Sequence, residues 1–397
     1  MGKALLIIIV GFSTIFSGMM YNITSNQQRS SQAILTQYEK WIARNAIESV
    51  TNVANSKLYQ NPDWQAGISG SFNGASYTVN VTDVTGDSTT NAKKDSITTI
   101  VTYENQSDTT ITILVQPAYS YYYFFLNNWP LPLEYDTGDT VIGPIHSNTK
   151  IRISNSPVFL GKVSSAENTY QGVSNPSPEF YGGAEFGTAT IDFSSVILAP
   201  LTIVGMSGGD HYPNEIWLEF NGTTYDVYSD PYITLQSTHN ITDFNRIIMT
   251  DAGSKQDIHV RGTVDGQITI LSDRNILIED DIVCTTDPSS DPSSEDLIGL
   301  IAGHRVILVD NVANNSDLVI HAAIVARHDQ IQVENPGGAS RGTLTIVGSI
   351  VENHYVSLGT SLSDYVLNHI YDSRLIDKTP PYFPRITNRV EQIYRSD

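Results

Sequence analysis

The sequence predicts a mainly β protein with one long N-terminal α-helix, a small antiparallel β meander packed on that helix, and then a parallel β-helix. Three patterns carry the expectation. No Pro or Gly interrupts residues 19–60, where apolar residues recur every three or four positions. Residues 65–117 alternate polar and apolar at period two. From residue 137 a short phrase recurs: an apolar residue, a polar turn, then an apolar pair at i and i+2.

The helix is expected over residues 1–60. Its opening, MGKALLIIIVGFSTIFSGMMYN, has no charged residue from Ala4 to Met20. That run is about 17 residues, the lower limit for crossing a bilayer as a helix. Lys3 ahead of it fits a cytoplasmic N terminus. A removed secretory signal is the alternative. Against it, the basic region is one Lys, the run is long, and no Ala-x-Ala site follows. Segment 4–20 is therefore read as a membrane anchor. In SSQAILTQYEKWIARNAIESVTNVANSKL, residues Ile34, Tyr38, Trp41/Ile42, Ala46, Val50, Val53/Ala54 and Leu58 form one stripe over 26–58. NPDW at 61–64 ends the helix. A helix from Lys3 to Leu58 would be roughly 80–85 Å long.

A helix apolar all round in its first half and amphipathic in its second resembles the N-terminal helix of type IV pilins and type II secretion pseudopilins. ARNAIESVTNVANSKL resembles its end in PilX-type minor pilins and K-type pseudopilins. The resemblance covers residues 1–60. It implies that the apolar half anchors the subunit in the inner membrane and then forms the core of a fibre of like subunits. Leu5, Leu6, Ile7, Ile8, Ile9, Val10, Phe12, Ile15, Phe16, Met19 and Met20 are then anchor and filament core. It also implies leader cleavage after a Gly, with a Glu at the fifth position of the new terminus to neutralise a neighbour's amine. Gly2 is the candidate cleavage point. The fifth residue is then Ile7, or Leu5 without cleavage, and neither is acidic. Cleavage at Gly11-Phe12 would leave too few apolar residues to span. Several minor subunits also lack that Glu.

Residues 61–118 read as a three-stranded meander, with Tyr77, Val79 and Val81 facing one way and turns at NAKKD and NQSD. So small a sheet needs the helix as its second layer. Residues 119–136, AYSYYYFFLNNWPLPLEY from Ala118 onward, read as an aromatic connector, with a sugar-stacking strip or subunit interface as alternatives.

Residues 137–365 read as the β-helix. IHSNTKIRI ends in Ile151 and Ile153, ILSDRNILI in Ile276 and Ile278, and IAGHRVIL in Val306 and Leu308. VARHDQIQV ends in Ile331 and Val333, and VENHYVSL in Val356 and Leu358. The last four pairs are spaced by roughly 25–30 residues, a solenoid period in which stacked rungs bury one continuous column. Residues 155–255 repeat poorly and read as irregular rungs and excursions, with PVFLGKVSS, IDFSSVILAPLTIVG and IWLEFNGTTYDVY as strands. CTTDPSSDPSSED reads as a polar loop, and residues 366–397 as an extended Pro-rich tail covering the last rung. GPIHSN, GSIVEN and YDSRLIDKTPPYFP resemble a family of uncharacterised bacterial envelope proteins with a pilin-like start. That likeness spans most of the chain and implies architecture, not chemistry.

The formal charge of -20 repels phosphate backbones and excludes nucleic acid as a partner. The single Cys284 cannot form an internal disulfide. Parallel β-helices often degrade acidic polysaccharides, which takes carboxylates clustered on one groove. The candidates are Glu279, Asp280 and Asp281 beside Arg274, and Asp210, His211 and Glu215 in GGDHYPNE. Adjacent carboxylates alternate in direction along a strand, so IEDD cannot face one substrate. His304, His328 and His354 read as corner residues rather than ligands. Calcium is the ion that Asp287, Asp291, Glu295 and Asp296 would take, but their spacing is not that of a dedicated site. No phosphate loop, nucleophile elbow or HExxH is present.

No cofactor, metal or catalytic residue is therefore assigned. The sequence reads as a structural, pilin-like subunit, anchored in the inner membrane before assembly. It would self-assemble through the helix into a surface filament or pseudopilus that displays the solenoid for adhesion. The rival reading is a signal-anchored β-helix that binds or cleaves polysaccharide.

Overall fold

The computed structural model describes residues 2–131, 133–193, 198–251, 253–337, 340–355, 358, 365–386 and 389–396. The chain divides into two compact units. One comprises Met1–Val84, Lys94–Val115 and Val390–Asp397, and the other Thr85–Lys93 and Gln116–Arg389.

In the first unit, helix α1 runs from Gly2 to Gln60. It stops where Pro62 removes an amide and forces the preceding residue out of helical geometry. Strands β1 (Ile68–Phe72), β2 (Ala75–Asp83), β3 (Lys93–Tyr103) and β4 (Gln106–Gln116) follow as an antiparallel meander. The β1–β2 hairpin closes on Asn73-Gly74, with φ of 50° and 82°, the left-handed pair that a two-residue hairpin requires. The expected three strands are five. β1 adds a strand ahead of the three expected, and the C-terminal strand Glu391–Arg395 pairs antiparallel with β4 to complete the sheet. The turns also move: β3 begins within NAKKD, and β4 begins at the Gln of NQSD.

The sheet's inner face presents Val79, Val81, Ile97, Val101 and Leu114 to Ala43, Ala46, Ile47, Val50, Ala54 and Leu58 of α1. Each fully buried Val, Ile or Leu in such a layer stabilises it by about 1.5–3 kcal/mol. A buried hydrogen bond of 3.0 Å joins Thr51 Oγ1 to Thr99 Oγ1 within this layer. Arg395 pairs with Glu48 at 2.5 Å, tying the last strand to the helix.

In the second unit short strands stack in parallel register. One ladder runs, in spatial order, through 184–186, 163–165, 145–147, 124–126 and 350–352. It continues through 324–326, 300–302, 270–272, 248–250 and 210–212. A second ladder joins 216–218, 258–260, 276–278, 306–308 and 331–333. It aligns Ile276 with Val306 and Ile331, and Ile278 with Leu308 and Val333. A third carries 220–222, 262–264 and 282–284 on to Ile320, Ile346 and His369. Of the recurring apolar pairs, Leu358 is buried, whereas Val356 lies outside the described residues.

From 163–165 to 248–250 the first ladder is buried on both faces, which is why strands such as Leu297–Ala302 have no polar alternation. Phe124, Leu126, Ile270, Leu300, Ile324 and Ile350 face the interior. Phe125, Leu271, Ile301, Val325 and Val351 face outward, under Phe193, Leu198, Leu201, Leu375, Phe383 and Ile386. At Gly299 a Cβ would meet Pro380 and Phe383, so the covering segment lies directly on the strand.

Three sequence expectations change here. The aromatic connector contributes a strand: Phe124–Leu126 pairs with both Ile145–Ser147 and 350–352, joining an early and a late part of the chain. LAPLTIVGMSG is helix α2 (Leu198–Gly208), not strand. Within 155–255, read as irregular rungs and excursions, the short strands Val158–Phe159, Val163–Ser165, Gln171–Gly172 and Glu179–Phe180 have parallel partners. The Pro-rich C-terminal segment lies along the side of the first ladder, and its end is a strand of the meander sheet.

Candidate functional site

The first half of α1 is the most unusual surface of the chain. Eighteen consecutive residues with a mean hydropathy of 2.0 are helical, and none of that window is buried. Leu5, Leu6, Ile7, Ile8, Ile9, Val10, Phe12, Ile15, Phe16, Met19 and Met20 are 49–71% exposed. The helix is long and apolar enough to cross a membrane. Beyond its first turn its backbone groups are satisfied within the helix, the condition for entering hydrocarbon or an apolar bundle. Thr14 Oγ1 donates back to Val10 O at 3.1 Å or Gly11 O at 2.9 Å, so its hydroxyl needs no outside partner. Gly2, the candidate cleavage point, and Gly11 have no neighbouring atoms within 4 Å of where a Cβ would stand.

The second half of α1 shows two faces. Its buried face runs through Glu39, Ala43, Ala46, Ile47, Val50, Thr51, Ala54 and Leu58. Ile34, Leu35, Tyr38 and Trp41 remain exposed, with Tyr38 stacked near Trp41 at 6.5 Å between centroids. The stripe expected from periodicity therefore divides. Ala46, Val50, Ala54 and Leu58 reach the sheet, while Ile34, Tyr38, Trp41 and Val53 do not.

The structure disperses the polar candidates. Asp210 accepts hydrogen bonds from Tyr212 (2.6 Å) and from Tyr225. His211 pairs with Asp251 at 2.8 Å, and Glu215 turns instead to His259. Glu279 also faces His259, while Asp281 accepts from the Val319 amide at 2.7 Å and Arg274 reaches Asp257 at 3.3 Å. Asp287 and Asp291 are occupied by the Ser289 and Ser293 turns. Asp296 is buried on the Gly266 and Thr286 amides, and Glu295 pairs with Lys378. Among the described residues no group of three His, Cys, Asp or Glu side chains is arranged to hold a metal. His304 and His328 sit on adjacent corners, 5.8 Å between ring centroids. His354 lies on the next corner, its amide donating to Asp329 O. Cys284 is buried, and that burial pushes its thiol up to about 12, far from a reactive thiolate.

One cluster went unread in the sequence. His259 Nδ1 lies 2.6 Å from Glu279 Oε1 and its Nε2 lies 2.9 Å from Glu215 Oε1. Trp217 stacks on the ring at 4.4 Å and 21°. Burial pulls the imidazole pKa down, but the hydrogen bonds and charges of the two carboxylates outweigh it and hold it above the ordinary histidine value. The available signal was register: EIWLE, DIHVR and NILIE align as three rungs of one ladder.

No protein-family model matches the chain, and no curated protein sequence matches it. Among solved structures, the chain is similar to the competence-associated pilin ComZ from Thermus thermophilus. The TM-score is 0.38 at 10% sequence identity, over 89% of this chain and 96% of that one.

Proposed function

We propose that the chain is a pilin-like structural subunit. The first half of α1 anchors it in the inner membrane and then, with other copies, forms the core of a surface filament or pseudopilus. The second unit is a parallel β-helix displayed outward as an adhesive surface. One observation carries the reading. A single uninterrupted helix has one half seated on its own sheet and the other half wholly exposed and apolar. Burying each of those large side chains is worth about 1.5–3 kcal/mol, so the half-helix belongs in lipid or among like helices. The three parallel ladders, each rung burying its apolar pair against the next, support the β-helix part.

Material sheared from the cell surface tests this directly. Terminal sequencing and electron microscopy should find the chain in ordered fibres. A detergent-soluble monomer that cleaves a polysaccharide would overturn the reading in favour of a tethered enzyme.

A further inference from the structure

We propose that His259 is a proton-dependent latch that fastens the end strand of the parallel stack, with the hairpin folded back on it, to the strands beneath. Strand Ile216–Gly222 is where the second and third ladders end. On one side it pairs in parallel with Ile258–Val264, and on the other it pairs antiparallel with Thr224–Tyr228, which pairs in turn with Leu235–Asn240. Glu215 leads into that end strand, His259 sits on the second strand and Glu279 on the third, so one ring ties three layers.

The proton count follows from geometry. Carboxylate oxygens only accept hydrogen bonds, so both ring nitrogens must donate, and only the imidazolium has two N–H groups. A neutral ring would turn a lone pair toward a carboxylate oxygen less than 3 Å away. His259 is 7% exposed, so water cannot readily replace the lost bond. The neighbouring cations are engaged elsewhere. Arg261 is held by Glu219 at 2.7 Å and lies over the Tyr232 ring at 3.6 Å, and Arg274 pairs with Asp257. Asn311 Nδ2 occupies the second oxygen of Glu279 at 2.9 Å, and Asp280, next in the chain, adds only negative charge.

The sign follows from a folded value raised above the unfolded one. The latch is fully made below the ordinary histidine pKa and is lost as pH rises through the folded value. The alkaline side is where the hairpin should loosen.

The test uses the full chain in detergent micelles between pH 5.5 and 9. Imidazole 15N shifts report the protons on His259, Trp217 emission reports the stacked ring, and hydrogen-exchange protection factors report residues 224–240. At pH 6 both His259 nitrogens should carry protons. On raising pH, Trp217 emission should rise as the imidazolium quencher disappears, and hairpin protection should fall about tenfold at the same midpoint. Glu279→Gln should move that midpoint down, and His259→Gln should remove both transitions. If His259→Gln does not fold, the ring contact with Trp217 assigns the 15N resonance in the native chain. A singly protonated ring at pH 6, or hairpin protection that does not change with pH, would overturn the proposal.

Discussion

The two halves of α1 share one helix and differ in where their apolar groups go. Residues 43–58 bury Ala46, Ile47, Val50, Ala54 and Leu58 against a sheet that the same chain supplies. Residues 5–20 are more apolar still, yet none of their large side chains is buried within the chain. The difference teaches that hydrophobicity does not decide which half belongs to the core; the reach of the sheet does. A short meander covers about four helical turns, and the apolar residues that extend beyond it stay exposed.

The largest effect expected from breaking this contrast is at Ile9. Ile9→Asp should cost about 2.5–3.5 kcal/mol for membrane insertion. It would also set an unpaired carboxylate among neighbouring helices, where desolvation is expensive. Gln37→Asp lies on an exposed position of the second half and should leave assembly near normal. Shearing and immunoblotting of surface material should show loss of assembly for the first variant only. Equal assembly of both would remove the exposed half-helix from the account.

A second effect, on folding rather than on assembly, separates the halves by stability. Ile47 is fully buried, so Ile47→Ala should destabilise the first unit by about 2–5 kcal/mol in denaturant unfolding. Ile8→Ala, at an exposed position, should leave that unfolding free energy nearly unchanged, because the side chain is not part of the buried layer. Smaller again is Thr51→Ala, which strands the buried Thr99 hydroxyl and should cost about 1–3 kcal/mol. Trp41→Ala sharpens the comparison at its lower end. The side chain is 63% exposed although it falls on the periodic stripe, so its effect on monomer stability should stay within about 0.5 kcal/mol.

Trp41 also marks where the sequence stopped being informative. Periodicity identifies a face of a helix, but not how far along it a partner extends, so Ile34, Tyr38 and Trp41 looked equivalent to Val50 and Leu58. The paired Ile276/Ile278, Val306/Leu308 and Ile331/Val333 were legible because each polar corner punctuates the chain just before them. LAPLTIVGMSG was not, since an apolar run without alternation reads equally as buried strand or helix. The pairing of Phe124–Leu126 with 350–352 depends on a partner far away in sequence, beyond any local pattern. The site residues divide in the same way. The exposed apolar run could be read letter by letter, whereas His259, Glu215 and Glu279 meet only once three strands are in register.

Removing residues 1–30 tests the central claim most directly, because it deletes the exposed half of α1 and keeps the half that packs on the sheet. Sedimentation and electron microscopy of that shortened chain should find a soluble, folded monomer with no fibres at any concentration that the full chain needs to assemble. Fibres from the shortened chain would contradict the account, since their core would then have to be built from the β units.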